Sequence, residues 1–297
     1  MKHPARREFL KQSAMIAALL GTPGLLRAGG GTDAWRPRLA LSSVMFSDLS
    51  LEELCRQAVE LGFKGIDLWG PFGDCRHLAR ARELGVDEFR KLLRAHDLEI
   101  GAWTTYRTKG HDEGFPGFAE FIGGCGGGVV VRESKYGSFA ADQLDAAMRE
   151  FFAELRPEIE LARKHKVRLA IENHGHALLD SPQSFEAFKR HNPAPDVVGL
   201  GVAPYHLQKR KADVSEVIGI CGDHLLFFYA WQSAGGTKQL PGHGPADFEP
   251  WMRALSAVNY SHWMTPFMHG GLPQDEMAAA VAKAVDYLRN DATPNEP

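Results

Sequence analysis

A short apolar run in the middle of the chain ends in polar residues that could carry chemistry. Leu169-Ala170-Ile171 leads directly into Glu172. A carboxylate that closes a buried segment is costly unless it is paired or used. His206 and His269 follow two later apolar runs, and a carboxylate with imidazoles can transfer protons or bind a divalent ion. We therefore predict Glu172, His206 and His269 as catalytic residues.

Other polar and aromatic residues stand at the ends of further apolar runs. Acid, amide and guanidinium groups orient substrate hydroxyls, and flat aromatic rings pack against the apolar faces of a sugar ring. Each of these residues also has an ordinary alternative, as a packed core side chain or a solvated surface group. The residues predicted to bind substrate are Asp67, Trp69, Arg132, Asn173, His174, Tyr229, Trp231 and Gln232.

These residues belong to a repeating pattern of short β-branched or aromatic runs and longer amphipathic segments. The segment 49–61 places its leucines on one helical face after Ser50, a favourable N-cap, and Gly62 ends it. Pro157 should kink or split the long helix predicted over 142–165. The predicted strands are Arg38–Phe46, Gly65–Trp69, Ile100–Tyr106, Val129–Glu133, Arg168–His174, Val198–Pro204, Leu225–Trp231 and His262–Phe267.

Eight such strand–helix units predict an α/β fold, a single-domain (β/α)8 TIM barrel over residues 38–290, with residues 291–297 as a C-terminal tail. In this architecture the reacting groups lie at the C-terminal ends of the strands. An open, doubly wound sheet is the rival. The glycine run 123–128 precedes a strand rather than following the first one, which is the wrong order for a dinucleotide-binding loop. The sequence therefore predicts no nucleotide cofactor.

The first 28 residues are unlike the rest of the chain. Arg6-Arg7 is followed by Phe9-Leu10-Lys11 and a mild apolar stretch from Met15 to Leu26. This pattern resembles a twin-arginine export signal over residues 1–28, followed by a linker over 29–37. It predicts the export machinery as a partner and a periplasmic or otherwise exported protein. The apolar stretch is too short for a stable membrane anchor. The alternative is an amphipathic first helix of the domain.

Charge and cysteine content exclude further classes. The net formal charge is −3 at pH 7, and the predicted leader holds five basic residues and one acidic residue, so the rest of the chain is more acidic still. A nucleic-acid-binding protein should carry a basic surface instead. The four cysteines are scattered without a CxxC pair, which predicts neither a disulfide framework nor a zinc knuckle.

Several of these segments together resemble one known family. Residues 170–175 (AIENHG), 65–69 (GIDLW), 203–206 (APYH), 265–267 (TPF) and 242–244 (GHG) are similar to motifs of the xylose-isomerase-like barrel superfamily. That superfamily contains sugar and sugar-phosphate isomerases and epimerases. The similarity runs from about residue 38 to 290 and depends on the order and spacing of the motifs.

The resemblance also implies a metal site that this chain departs from. Family members hold one divalent ion with Glu, Asp, His and Glu from strands five to eight. Glu172 keeps the first position, whereas Ala203 and Thr265 stand at the second and fourth. Strand seven offers no histidine. The corresponding residues there are Phe228, Tyr229 or Trp231.

Two interpretations of the site follow. In the first, a rebuilt site holds a divalent ion (Mn, Zn, Mg or Co) with Glu172, His206 and His269, and His174 as a further candidate. In the second, no metal binds, and the same residues act directly as acids and bases.

The predicted function is that of an exported sugar isomerase or epimerase, which removes a proton next to a carbonyl. A lyase or hydratase acting on keto-sugars or glycosides would use the same groups. A non-catalytic sugar-binding barrel is the third alternative, and a homo-oligomer is compatible with all of them. An abasic-site endonuclease, known from a related barrel family, is disfavoured by the empty ligand positions and the acidic chain.

Overall fold

The computed structural model describes residues 35–107 and 113–293. The predicted leader (residues 1–28) and most of the linker and tail therefore lie outside the described residues. Within the described ranges, no helix is both long enough and apolar enough to cross a membrane.

Eight parallel strands pair in chain order, and β1 pairs with β8, so the sheet is a closed barrel. The predicted (β/α)8 fold is thus confirmed. The strands are β1 (Arg38–Ser42), β2 (Gly65–Trp69), β3 (Glu99–Thr104), β4 (Gly128–Glu133), β5 (Val167–Glu172), β6 (Val198–Val202), β7 (Leu225–Ala230) and β8 (Trp263–Pro266).

Helices alternate with the strands along the chain. They are α1 (Leu51–Glu60), α2 (His77–Leu84), α3 (Val86–Ala95), α4 (Gly114–Gly124), α5 (Leu144–Lys164), α6 (Pro182–His191), α7 (Pro204–Lys209), α8 (Val214–Cys221), α9 (Glu249–Ala257) and α10 (Gln274–Asp286). The short helices α2, α4 and α7 were not predicted.

Local sequence explains several of these boundaries. Ser50 caps α1 as predicted, in a reciprocal capping box with Glu53, and Gly62 leaves the helix at a positive φ of 75°. Pro157 lies inside α5, which continues through it without splitting. The predicted split is wrong because the proline removes only one backbone donor from a helix that packs against its neighbours over 21 residues.

The N-terminal end of the barrel is closed by packing. The Trp263 ring occupies the space beside Gly65 and Gly101, where a Cβ would lie 2.7 Å and 3.1 Å from the ring atoms. The Arg38 guanidinium lies 4.1 Å from the centre of the same ring and pairs with Glu99. Glycine is required at both positions because any side chain there would displace the tryptophan.

Candidate active site

A small cavity opens at the C-terminal ends of the strands, where the reacting groups were predicted to lie. We call it the central cavity; its volume is about 160 Å³. Pockets for drug-sized ligands measure about 300–1,000 Å³, so this one suits a single small ring. Its walls are Trp69, Phe72, Tyr106, Tyr136, Glu172, His174, His206, Tyr229, Trp231, Phe267 and His269.

Glu172 is the carboxylate of this cavity. It is the last residue of β5 and only 3% exposed. The Tyr106 hydroxyl donates a hydrogen bond to Glu172 Oε2, while Glu172 Oε1 lies 3.9 Å from Nε2 of His174. Burial raises the pKa of Glu172 well above its usual value, the Tyr106 hydrogen bond opposes this, and the nearby carboxylates of Asp67 and Glu133 raise it further. Its two oxygens therefore have different surroundings.

Among the described residues, three imidazoles line the cavity. The ring centres of His174 and His206 are 4.8 Å apart. Burial lowers the pKa of His174 to about 4 and that of His206 to about 3, and in each case a neighbouring imidazole adds to the shift. Burial also lowers the pKa of His269, with a smaller contribution from Lys209. All three rings are therefore neutral near pH 7.

Glu172, His174 and His206 form the tightest group. Each offers one ligand atom, and these atoms all lie within 4.8 Å of one another. His269 also lines the cavity but falls outside this group, and its ring centre lies 4.9 Å from that of Trp231. The structure thus differs from the predicted set of Glu172, His206 and His269: it places His174 in the third position.

Aromatic rings make up most of the remaining wall. Trp69 and Phe267 stack at 5.6 Å between ring centres with an angle of 6°. Trp231 stacks on Tyr205 at 4.1 Å, and its Nε1 atom is buried without a hydrogen-bond partner in the described part of the chain. An unpaired buried donor is unusual, and Trp231 lines the cavity.

Asp67 was predicted to bind substrate, but the structure gives it other partners. It is fully buried and does not line the cavity. Its carboxylate accepts hydrogen bonds from Ser42 Oγ (3.1 Å), Trp69 Nε1 (2.6 Å) and Thr104 Oγ1 (2.6 Å). Thr104 in turn lies 2.9 Å from the Tyr229 hydroxyl. Asp67 therefore positions two aromatic walls, Trp69 and Tyr229, from behind.

Three further residues predicted to bind substrate also lie away from the cavity. Arg132 pairs with Glu158 at 2.7 Å and lines a separate cavity of about 260 Å³. Asn173 exchanges two hydrogen bonds with the backbone of Ala203. Gln232 bonds the backbone of residues 240 and 246. All three hold strand ends or loops in place because their polar atoms are already paired within the fold.

Four wall residues were absent from the predicted site: Phe72, Tyr106, Tyr136 and Phe267. Tyr106 follows β3 by two residues. A search for hydroxyl groups at the C-terminal ends of strands would therefore have identified it. Phe267 ends the TPF segment already singled out for its resemblance. Phe72 and Tyr136 lie in loops, where neither strand position nor periodicity gives a signal.

The metal site implied by the family does not fit these residues. Ala203 is fully buried and has no donor atom. Thr265 directs its Oγ1 to the carbonyl of Pro266 at 3.2 Å, and the Tyr229 hydroxyl is engaged with Thr104. Only Glu172 remains of that ligand set, so the family's four-ligand site is not formed.

Comparison with known proteins places the fold in a family. The family model described as "Xylose isomerase-like TIM barrel" matches residues 55–290. No curated protein sequence matches the chain significantly.

Solved structures share the same fold at low identity. The IolI protein with a zinc atom is 16% identical with a TM-score of 0.67, over 87% of this chain and all of that one. The 3-keto-D-glucoside 4-epimerase YcjR of E. coli is 15% identical with a TM-score of 0.66, over 85% and 99%. The probable 3-DHS dehydratase AsbF of Bacillus anthracis is 15% identical with a TM-score of 0.65, also over 85% and 99%. From the family match over most of its length, this chain belongs to the xylose isomerase-like TIM barrel family.

Proposed function

We propose that this protein is an enzyme that acts on a small sugar or sugar-derived carbonyl compound, by removing a proton from the carbon next to the carbonyl. The observation that carries the proposal is a single buried carboxylate, Glu172, beside neutral imidazoles in a cavity with aromatic walls. The family and its epimerase and dehydratase neighbours support the same class of chemistry.

Glu172 is the base in this proposal. A carboxylate with a raised pKa is a stronger base once ionised, and a base is most effective when its pKa is near the working pH. Burial is the main cause of its raised pKa. The hydrogen bond from Tyr106 holds Oε2 and so fixes the plane of the carboxylate.

The imidazoles supply the other half of the reaction. Proton removal next to a carbonyl places negative charge on the carbonyl oxygen, and donors aimed at that oxygen lower the barrier. His174 and His206 are neutral, so each carries one N–H that can donate to the developing oxyanion. His269 and His206 both pack against Trp231, and we assign to His269 the exchange of a proton with another substrate oxygen.

The aromatic walls select the substrate. Trp69 and Phe267 stack on each other and line the cavity, and an aromatic ring in this wall can pack against the C–H face of a pyranose ring. The unpaired indole N–H of Trp231 donates to a ring hydroxyl. The size of the cavity limits this ring to one sugar unit.

A second observation favours elimination from a keto-glycoside over epimerisation. Phe72 and His269 are shared between the central cavity and a larger adjoining cavity of about 560 Å³. A substituent on the sugar can extend past these two residues. In an elimination, the C–H electron pair forms the new C=C bond. The C–O pair then leaves with the departing oxygen, which takes a proton. His269 lines both cavities, and we assign it the role of giving that proton.

A substrate panel tests the proposal. The purified protein is incubated with free aldoses, ketoses and 3-keto-glycosides, and products are followed by NMR. We expect turnover of a keto-sugar or keto-glycoside that is lost in Glu172→Gln. Turnover of free aldoses alone would refute the keto-glycoside reaction. Sugar binding without turnover, unchanged in Glu172→Gln, would refute the enzyme and leave a sugar-binding barrel.

Export is a separate proposal, supported by the sequence of residues 1–28 alone. We infer that the Arg6-Arg7 pair directs the folded protein through the twin-arginine machinery. Replacement of both arginines by lysine should retain the protein in the cytoplasmic fraction, whereas Lys2→Arg leaves its distribution unchanged. Equal distribution of the twin-lysine variant and the wild type after cell fractionation would contradict the proposal.

A further inference from the structure

We propose that Glu172, His174 and His206 form a site for one divalent transition-metal ion, built from a different ligand set than the family's. The site shares the pocket of the proposed function and deepens it. With the ion bound, the ion would replace the imidazole N–H groups in stabilising the oxyanion, and Glu172 would act as base through the oxygen that does not bind the ion. Only Glu172 is common to the two ligand sets, because the other family positions hold residues that cannot bind. Metal binding can be measured directly, so this inference can fail while the enzymatic proposal stands.

The distances are those of a site that closes around an ion with small movements. One ligand atom from each of the three residues lies within 4.8 Å of the other two. Bonds of about 2.0–2.2 Å to a shared ion place two ligand atoms at most about 4.4 Å apart. Around a tetrahedral ion the ligand atoms lie about 3.3–3.6 Å apart, so side-chain rotations that move each atom by up to about one ångström are needed to close the site.

The carboxylate is already oriented for this role. Tyr106 donates to Glu172 Oε2, which leaves Oε1 on the side of His174, 3.9 Å from its Nε2. Hydrogen bonds that fix a ligand's orientation are a regular feature of metal sites.

The imidazoles are available as ligands. Nε2 of His174 faces Glu172 Oε1, and Nδ1 is buried without a hydrogen-bond partner among residues 35–107 and 113–293, so no hydrogen bond in that part of the chain fixes the Nδ1 protonation state. The rings of His174 and His206 are adjacent, with centres 4.8 Å apart, so both can reach one ion. A cation would also offset the cost of the buried Glu172 charge.

Two imidazoles and one carboxylate suit a divalent transition metal such as zinc, cobalt or manganese. Such a set leaves coordination positions open toward the cavity, where the ion would polarise a substrate carbonyl. His269 lies outside the group and provides a matched control, because it is a histidine of the same cavity.

Cobalt binding tests the inference. The protein is stripped with a chelator, dialysed and titrated with Co²⁺, with visible absorption and calorimetry as readouts. We expect one equivalent to bind. His174→Ala and His206→Ala should each weaken binding by more than about 100-fold, and Tyr106→Phe, which removes only the orienting hydrogen bond, by about 10-fold. His269→Ala should bind like the wild type.

A measurement on the wild type guards against misfolded variants. Proton NMR of the cobalt-loaded protein should show two paramagnetically shifted, solvent-exchangeable imidazole N–H signals, one for each ligating histidine. Absence of stoichiometric binding to the folded wild type would overturn the inference. So would binding that survives in both His174→Ala and His206→Ala, or that is lost in His269→Ala alone.

Discussion

The two ends of the barrel are built on opposite principles. At the N-terminal end, the Trp263 ring fills the interior beside Gly65 and Gly101, and Arg38 covers it. At the C-terminal end, the interior is left open, and a buried carboxylate and neutral imidazoles line the space. One end minimises voids and the other preserves one.

The difference shows where stability and function are separated in this fold. Close packing gives dispersion contacts and removes apolar surface from water. A buried carboxylate that lacks a charged partner costs free energy, and sites that retain one do so for a purpose. We therefore expect substitutions at the closed end to change the free energy of unfolding, and substitutions at the open end to change pH dependence and binding.

Asp67→Asn should produce the largest change at the open end. Burial raises the pKa of Asp67 to about 7, against 3.8 in an unfolded chain. Between these values the folded state keeps a proton that the unfolded state has released, so stability falls as pH rises. This one group contributes a slope of at most about 1.4 kcal/mol per pH unit.

In Asp67→Asn that contribution disappears. The amide oxygen can accept from Ser42 and Trp69 in place of Oδ2, and the amide NH₂ can donate to Thr104 Oγ1. Chemical denaturation at several pH values from 4 to 8 measures both proteins. Glu172 adds a slope of the same sign to each, so the comparison is between the two curves. If the free energy of unfolding had the same pH dependence in both proteins, Asp67 would be ionised in the folded wild type.

Gly65→Ala probes the closed end with a single methyl group. The new Cβ would lie 2.7 Å from the Trp263 ring, and we expect a loss of about 1–3 kcal/mol in the free energy of unfolding. Gly219→Ala, in helix α8 with no atom within 4 Å of the added Cβ, is the matched control and should not destabilise. Substrate binding should be the same in both variants. Equal stability of the two variants would contradict the close packing of Trp263 at the N-terminal end of the barrel.

Trp231→Phe should have the smallest effect on binding. It removes an indole N–H that has no partner in the described fold and part of a buried ring stacked on Tyr205, so the free energy of unfolding should fall by about 1–2 kcal/mol. If that N–H bonds a substrate hydroxyl, substrate affinity falls about 3- to 10-fold. Calorimetric titration with the substrate found in the panel measures this, and unchanged affinity would remove Trp231 as a donor.

The sequence pattern predicted the barrel and part of its site for the same physical reason. Hydrophobic periodicity, helix caps and strand ends depend on residues that are close together in the sequence. The positions of β5 and its terminal Glu172 could therefore be predicted from the sequence alone. Which wall a strand-end side chain faces is not local. The β2–β3 register shifts between Ile66 and Asp67, and Asp67 lies behind the cavity wall.

Which histidines lie beside Glu172 also could not be predicted from residues that are neighbours in the sequence. His174 joins Glu172 and His206 because the turn after β5 brings two rings within 4.8 Å, a distance that no spacing along the chain encodes. The surroundings of Arg132 and Gln232 were not predictable because their partners are supplied by distant segments. These partners are Glu158 in α5 and the backbone of residues 240 and 246.

The central claim is that Glu172 removes a proton from a carbon next to a carbonyl. Solvent exchange tests it most directly: the protein is incubated with the keto-sugar in D₂O, and deuterium incorporation at that carbon is followed by NMR. We predict incorporation by the wild type, slowed about 100- to 10,000-fold in Glu172→Gln with its melting temperature not lowered. Equal incorporation by both proteins would contradict the account.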